Sequence, residues 1–156
     1  MNDDLVQQAH SKLIIREILL HSGEIKTSED FFPFEKKAYE IQFKQYIKDS
    51  NLIKVDDEDF ILFHYVAGFR ALPTGLSDEE KENDLLDKVV VEVTAIFSAI
   101  YKLIEEIPEE AVVEFAKFNV GFNVWPFWRE YATSTSARLG LPPFPIPLYH
   151  IPKTNK

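Results

Sequence analysis

The chain has 156 residues, of which 17 are basic and 26 acidic, so its formal net charge is −9. This length fits one compact domain whose core needs no disulfide or metal, and the lack of cysteine excludes thiolate catalysis, zinc–thiolate sites and iron–sulfur clusters. The negative charge disfavours nucleic acid and anionic membrane surfaces as partners. Since no N-terminal signal sequence or membrane-spanning apolar run is visible, we expect a soluble cytoplasmic protein without membrane insertion.

The first two-thirds of the sequence predicts four strands. Residues 12–21 place apolar side chains on both faces, which favours a strand over a short helix. Residues 39–48 alternate cleanly between apolar and polar side chains, and residues 60–72 form a long run with little polar relief. Residues 89–103 alternate again. Because turn-forming or charged segments separate these runs, we expect a mostly antiparallel meander joined by hairpin-type turns.

The pattern changes to helical spacing after Pro108, which precedes the acidic pair Glu109 and Glu110. A break is predicted over 119–121, and a second helix is predicted from Pro126, ending before Gly140. One face of this helix is expected to pack inward, and it consists of Trp128, Tyr131, Ala132, Thr135 and Leu139.

The predicted fold class is therefore α+β, with a four-stranded antiparallel sheet followed by a long C-terminal helix. We expect a single domain over 1–156, in which the strands occupy about 12–103 and the helical region about 109–139. Prolines recur in the tail at 140–156, so we expect it to be extended or irregular.

Residues that could support catalysis or bind a cofactor do not form a recognisable pattern. The four histidines, at positions 10, 21, 64 and 150, lack metal-ligand spacing, and neither a phosphate-binding glycine loop nor a GxSxG elbow occurs. The hydroxyl cluster 133–136 is expected to lie on the helix surface or to bond its own backbone, and the acidic runs are expected to be solvated loops. We expect no enzyme, catalytic residue, metal or cofactor.

Aromatic residues point to binding instead. Seven fall within a window of seventeen residues, namely Phe115, Phe118, Phe122, Trp125, Phe127, Trp128 and Tyr131. Many of them are needed for the core, but a domain of this size cannot easily bury all of them. A surplus of apolar area predicts an interface with another subunit or with a client, and the acidic body suits clients that are apolar and basic.

Two motifs in the C-terminal part of the sequence are more specific. The fourth predicted strand contains I-F-S at 96–98, and the helical region contains W-P-F-W-R-E at 125–130, followed by Arg138, Gly140 and Pro142. These residues resemble the I-F-S segment, the F-P-Y-x-R-E motif and the Arg-x-Gly exit of the SecB family of bacterial protein-export chaperones. The similarity is specific over about the last 60 residues, whereas the earlier strands agree in order and alternation.

The resemblance implies an ATP-independent holdase, typically a tetramer built as a dimer of dimers, around which unfolded polypeptides wrap in apolar grooves. It implies that five of the aromatic residues lie near the groove or at subunit contacts, namely Phe118, Phe122, Trp125, Phe127 and Trp128. From the aromatic cluster itself, we expect Phe115 and Tyr131 to belong to the client-binding or subunit contacts as well. The resemblance also implies that Glu92 matches an acidic sheet surface that docks the translocase motor ATPase in export members.

The sequence also departs from the export members of that family. Those members continue past the Pro-rich exit into a second helix, whereas this sequence stops at HIPKTNK, and its loop at 73–88 is longer and more acidic. The missing last helix puts the cover of the groove in question, and motor docking with it. Relatives of the family serve as dedicated antitoxin chaperones in toxin–antitoxin–chaperone modules. General export, a dedicated antitoxin client, and a scaffold whose aromatics are all subunit interface remain open alternatives.

Overall fold

The computed structural model describes residues 2–83 and 85–150. The predicted class is confirmed, since a four-stranded antiparallel sheet precedes a long helical region. The strands are β1 (Leu13–Thr27), β2 (Tyr39–Val55), β3 (Glu58–Pro73) and β4 (Val91–Leu103). The helices are α1 (Asp3–Lys12), α2 (Asp78–Asn83), α3 (Leu85–Lys88), α4 (Glu109–Phe115) and α5 (Gly121–Arg138), with a π-helical segment over Ala116–Val120.

The strand order in the sheet is β1-β4-β3-β2, so the predicted meander is wrong. Strand β1 pairs with β4, with Leu13 opposite Leu103 and Thr27 opposite Val91, and the segment 28–38 crosses over to β2. Alternation determines which face a side chain occupies, but it does not determine which strand lies alongside. A connection of this length suits a crossover better than a tight hairpin. The result is a Greek key in which β1 and β2 are both edge strands.

The acidic run between β2 and β3 forms a tight hairpin turn. Val55 pairs with Glu58, which leaves Asp56 and Asp57 as a two-residue loop. Both loop residues have positive φ, 50° and 64°, as in a type I′ turn. Because this turn matches the twist of the flanking strands, the ladder runs from the irregularity between Ile47 and Asp49 to the tip of the hairpin.

The predicted helix break over 119–121 is also wrong, because the chain remains helical from α4 through the π-helical segment into α5. Val120 is fully buried and Gly121 is buried, so packing holds this region helical despite its weak propensity. Pro126 lies inside α5 rather than at its start. The predicted inward face is confirmed, since Trp128, Ala132 and Thr135 are buried.

Helices α1 and α2 lie in segments that the sequence analysis did not assign to helix. The side chain of Asn2 caps α1 by accepting a hydrogen bond from the backbone N–H of Leu5 at 3.5 Å. Ser77 and Glu80 form a capping box at α2, in which each side chain accepts a hydrogen bond from the other residue's backbone N–H. Within the described part of the chain, no helix is long and apolar enough to cross a membrane.

The core lies between one face of the sheet and the helical layer. The odd-numbered residues from Ile61 to Ala71 on β3 and from Val91 to Tyr101 on β4 are buried there. Phe63, Tyr101 and Phe115 pack edge to face or tilted in its centre. Edge strands β1 and β2 are covered less completely, and this leaves a groove beside β2.

Candidate functional site

A groove runs along the helix-facing side of β2, between that strand and helices α4 and α5. We call it the β2 groove and divide it at Ile47. The upper half borders Tyr39, Ile41 and Phe43, and the lower half borders Ile47, Ser50 and Leu52. The two halves differ in that, among the described residues, a segment of the chain itself occupies only the upper one.

Residues 141–149, which we call the tail segment, fill the upper half in an extended conformation. The segment leaves the end of α5 at Gly140 and returns along that helix towards its first residues. The Phe144 ring packs against Phe43 and Phe69, with centroid distances of 6.3 and 5.1 Å. Leu141 and Ile146 are buried. Apolar side chains of the tail segment therefore occupy apolar positions in the groove.

The end of the tail segment contacts the beginning of α5. Trp125 Nε1 donates a hydrogen bond of 2.8 Å to the carbonyl oxygen of Pro147. The Tyr149 ring lies 5.7 Å from the Trp125 ring and 6.4 Å from the Phe122 ring. Gly121 permits this approach, because a side chain there would collide with Tyr149. Burial and, secondarily, the Tyr149 hydroxyl raise the pKa of Tyr65, which pairs with Ile47 at the boundary between the halves.

The lower half of the β2 groove contains two adjoining cavities of about 250 and 360 Å³. Ser50 and Val112 border both of them, and Phe63 and Ile61 belong to their lining from β3. Val113 on the helical wall is 46% exposed. Nine of the fifteen residues that line the two cavities are apolar, and the charged ones are Asp49, Glu106, Glu109 and Lys117. The open half is therefore an apolar trough with a mainly acidic rim.

The seven aromatic residues do not form one surface. Phe115, Phe118, Trp125 and Trp128 are buried within the chain. Tyr131 is half-buried and packs against Phe97 and Trp128. Phe122 and Phe127 are exposed, and Phe122 borders the groove through Tyr149.

The residues that line the groove come mainly from β2, α4 and the tail segment, which the sequence analysis did not single out. The alternation of residues 39–48 predicted their shared face. It could not indicate that the helical layer stops short of this edge of the sheet.

Glu92 lies on the opposite face of the sheet from the helices. Its cross-strand neighbours are Lys26 on β1 and Arg70 on β3. Arg70 Nε also donates a hydrogen bond of 2.8 Å to Gln42 Oε1. The carboxylate of Glu92 is therefore flanked by two basic side chains rather than forming part of a continuous acidic surface.

The other polar candidates have local roles. Ser136 Oγ donates a 2.6 Å hydrogen bond to the Ala132 carbonyl, and Ser134 Oγ donates one to Tyr131, so these hydroxyls bond their own helix as expected. His64 Nδ1 lies 2.6 Å from Asp49 Oδ1. Over residues 2–83 and 85–150, no group of three or more histidine, cysteine or acidic side chains is arranged to hold a metal ion.

A second apolar surface lies along the free edge of β1. Ile15, Leu20 and Ile25 share the helix-facing side of the sheet with their partners on β4, and each is about half exposed. Ile14 and Leu19 are similarly exposed on the opposite face. An edge strand with exposed apolar residues on both faces can pair with a strand of another chain. Because such pairing leads to aggregation, proteins usually cover these edges or place charges on them.

The strand order, the antiparallel pairing and the long C-terminal helix define a SecB-like fold, as the sequence resemblance predicted. A similar solved structure is that of the SecB-like chaperone Rv1957 of Mycobacterium tuberculosis, in complex with a ChAD peptide from the Rv1956 HigA1 antitoxin. The TM-score is 0.68 at 17% sequence identity, and the match covers 96% of this chain and 99% of that chain. No protein-family model and no curated protein matches this sequence.

Proposed function

We propose that this protein is a chaperone that holds an extended, unfolded segment of another polypeptide in the β2 groove without using ATP. The observation that carries this proposal is the groove itself. Its upper half already accommodates an extended apolar segment of chain, and its lower half continues as an apolar trough next to an edge strand. Burial of client side chains there lowers the concentration of free, aggregation-prone chain.

The groove offers two kinds of contact to an extended client. Apolar side chains gain from burial against Ile47, Val112 and Val113. The free edge of β2 offers backbone N–H and C=O groups to a strand-like segment. The acidic rim, together with a net charge of −9, favours clients that carry basic residues between their apolar ones.

We infer that the client is a dedicated antitoxin rather than a broad set of exported proteins. The peptide in the Rv1957 complex comes from an antitoxin, which is a precedent for an antitoxin client on this fold. The flanking of Glu92 by Lys26 and Arg70 disfavours docking of the translocase motor on that face. The tests below include results that would favour a broad set of export clients or a scaffold role instead.

We also infer that the protein is a cytoplasmic homo-oligomer, a dimer or tetramer. The half-exposed apolar residues of β1 would be buried if the free edge of that strand paired with the same edge of a second copy. This pairing leaves the β2 groove accessible, since β2 lies at the opposite edge of the sheet.

The test of the groove compares Val113→Asp with Leu86→Asp. Val113 lines the open half, whereas Leu86 is an exposed apolar residue on α3 that is not among the lining residues of either cavity there. Binding is measured by fluorescence anisotropy of a labelled, permanently unfolded polypeptide rich in apolar and basic residues. We expect Val113→Asp to weaken binding about tenfold or more, because a carboxylate replaces a buried methyl contact.

Leu86→Asp should change the affinity less than about twofold, since exposed substitutions away from the site have small effects. Equal affinities for the wild type and Val113→Asp would contradict the assignment of the groove. Absence of any binding, together with no uptake of a hydrophobic dye by the native oligomer, would favour the scaffold role instead.

A further inference from the structure

We propose that the tail segment occupies part of the client's own binding site and that a client binds by displacing it. This inference rests on the proposed function and deepens it. The upper half of the β2 groove then also binds the client. The tail segment, which occupies that half, shows which class of peptide fits there.

The tail segment is held as a bound peptide is held. Its residues from Pro142 to His150 lie outside any helix or strand. Among the described residues, the hydrogen bond from Trp125 Nε1 to the Pro147 carbonyl is the one that joins this stretch to the rest of the fold. Side-chain anchors supply the other contacts, namely Leu141, Phe144, Ile146 and Tyr149. A segment attached in this way can leave without breaking a strand ladder or a helix.

The upper half of the groove is also filled incompletely. A cavity of about 190 Å³ remains between the start of the tail segment and β2, bordered by Tyr39, Ile41 and Phe144. Leu148 is 67% exposed and does not contribute an anchor. Because voids remove packing partners from the residues that line them, the contact is weaker than that of a close-packed core. This leaves room for a client with a better-fitting sequence to compete.

The seated segment defines the chemistry of the ligand. The anchors of the tail segment alternate between aliphatic and aromatic side chains, namely Leu141, Phe144, Ile146 and Tyr149. The prolines between them keep the backbone extended rather than helical. The tail segment carries no acidic residue, which suits the acidic body of the protein. The expected ligand is therefore an extended, Pro-containing peptide with alternating aliphatic and aromatic anchors and no net negative charge.

The filled and open halves form one continuous site. The Tyr149 ring ends the tail segment beside Gly121 and Phe122, and Ala116 and Lys117 border the open half about one helical turn earlier. A client seated in the open half therefore reaches the end of the tail segment directly, and it can extend further only by taking the segment's place.

The experiment uses Phe144→Ser in the full chain, with Leu148→Ser as the matched control in the same segment. Phe144→Ser removes the anchor against Phe43 and Phe69, whereas Leu148→Ser removes an exposed side chain. Affinity is measured with the labelled unfolded polypeptide and with a synthetic peptide of residues 141–150. Because the tail segment competes with both probes, a weaker contact between this segment and the groove should raise the affinity for each probe about fivefold or more.

Trp125 reports displacement independently of affinity, because its indole N–H bonds the tail segment. We expect client binding to wild type to shift the Trp125 emission, measured as the difference from a Trp125→Phe variant that retains Trp128. Melting curves establish that Phe144→Ser is folded, and Tyr149→Ser serves as a second variant if it is not. Leu148→Ser should behave as wild type in both measurements.

The outcomes separate this inference from the proposed function. Client binding that is unchanged in Phe144→Ser and Tyr149→Ser, without a change in Trp125 emission, overturns displacement while leaving the chaperone role in place. Weaker binding in these variants also overturns it, because the tail segment would then contribute to the client site. Failure of wild type and all variants to bind either probe refutes the proposed function itself.

Discussion

Trp128→Ala tests whether the centre of the helical layer belongs to the core of one chain. The Trp128 side chain is 0% exposed, and its ring lies 6.3 Å from the rings of both Phe69 and Tyr131. Removing a fully buried tryptophan costs about 3–5 kcal/mol through lost contacts and the cavity left behind. We expect the free energy of unfolding to fall by this amount in denaturant titrations followed by circular dichroism.

The polar atom of the indole refines this estimate. Within the described part of the chain, Trp128 Nε1 is buried without a hydrogen-bond acceptor, which costs about 1–3 kcal/mol relative to a satisfied group. Trp128→Phe removes this unpaired donor and should therefore cost clearly less than Trp128→Ala. Phe127→Ala is the neighbouring control, because Phe127 is about half exposed. If the free energy of unfolding of Trp128→Ala lay within about 1 kcal/mol of the wild-type value, the placement of this side chain in the core would be refuted.

Two further predictions concern alkaline stability and the hairpin turn. Burial raises the pKa of Tyr101 to about 12, and the hydrogen bond from Asn123 opposes this rise. The folded state therefore retains the phenol proton at a pH at which the unfolded chain loses it. As the pH rises from 10 towards 12, the free energy of unfolding should fall by about 2 kcal/mol. Tyr101→Phe should shift alkaline unfolding to higher pH, whereas Tyr46→Phe, an exposed control, should not; identical midpoints for both variants would contradict this. Asp57→Gly should stabilise the protein by about 0.4–1 kcal/mol, because φ is 64° at this turn position and glycine adopts positive φ without strain. Thermal unfolding measures the change. A loss of stability would show that the Asp57 side chain matters more than the strain of its backbone.

The sequence predicted the strands and the helical region because their apolar spacing reflects the face that each element buries. It did not predict the partner of β1, since residues 13–27 carry apolar side chains on both faces and alternation is compatible with either neighbour. The break expected over 119–121 failed for a related reason. Asparagine and glycine lower helix propensity locally, but burial of Phe118 and Val120 against the core holds the helix together.

The site was harder to predict than the fold. The concentration of aromatics over 115–131 predicted an interface with a client or another subunit, whereas Phe115, Phe118, Trp125 and Trp128 are buried within the chain. The groove instead joins β2 to a tail segment about 100 residues later in the sequence. Its walls become visible only when the packing of the helical layer is known, because exposure at the edge of a sheet is a tertiary property. Whether the aromatics at Phe122 and Phe127 contact clients or other subunits stays a prediction.

The caps of α1 and α2 were available in the sequence. Asn2 before two acidic residues, and Ser77 three residues before Glu80, are both recognised N-terminal helix signals. Helix α1 has 10 residues, and α2 has 6 residues without an apolar side chain, so apolar periodicity gives little signal there and the capping residues are the better guide.

The central claim, that the β2 groove holds unfolded polypeptide without ATP, is tested most directly by light scattering. Several unrelated, chemically unfolded proteins are diluted into buffer with and without this protein, with no nucleotide added, alongside the protein encoded next to it if that is an antitoxin. The account predicts suppression of aggregation near stoichiometric ratios for the antitoxin, and loss of that suppression in Val113→Asp but not in Leu86→Asp. Suppression across the whole panel would redirect the assignment to a general holdase, and no suppression of any client would contradict the claim.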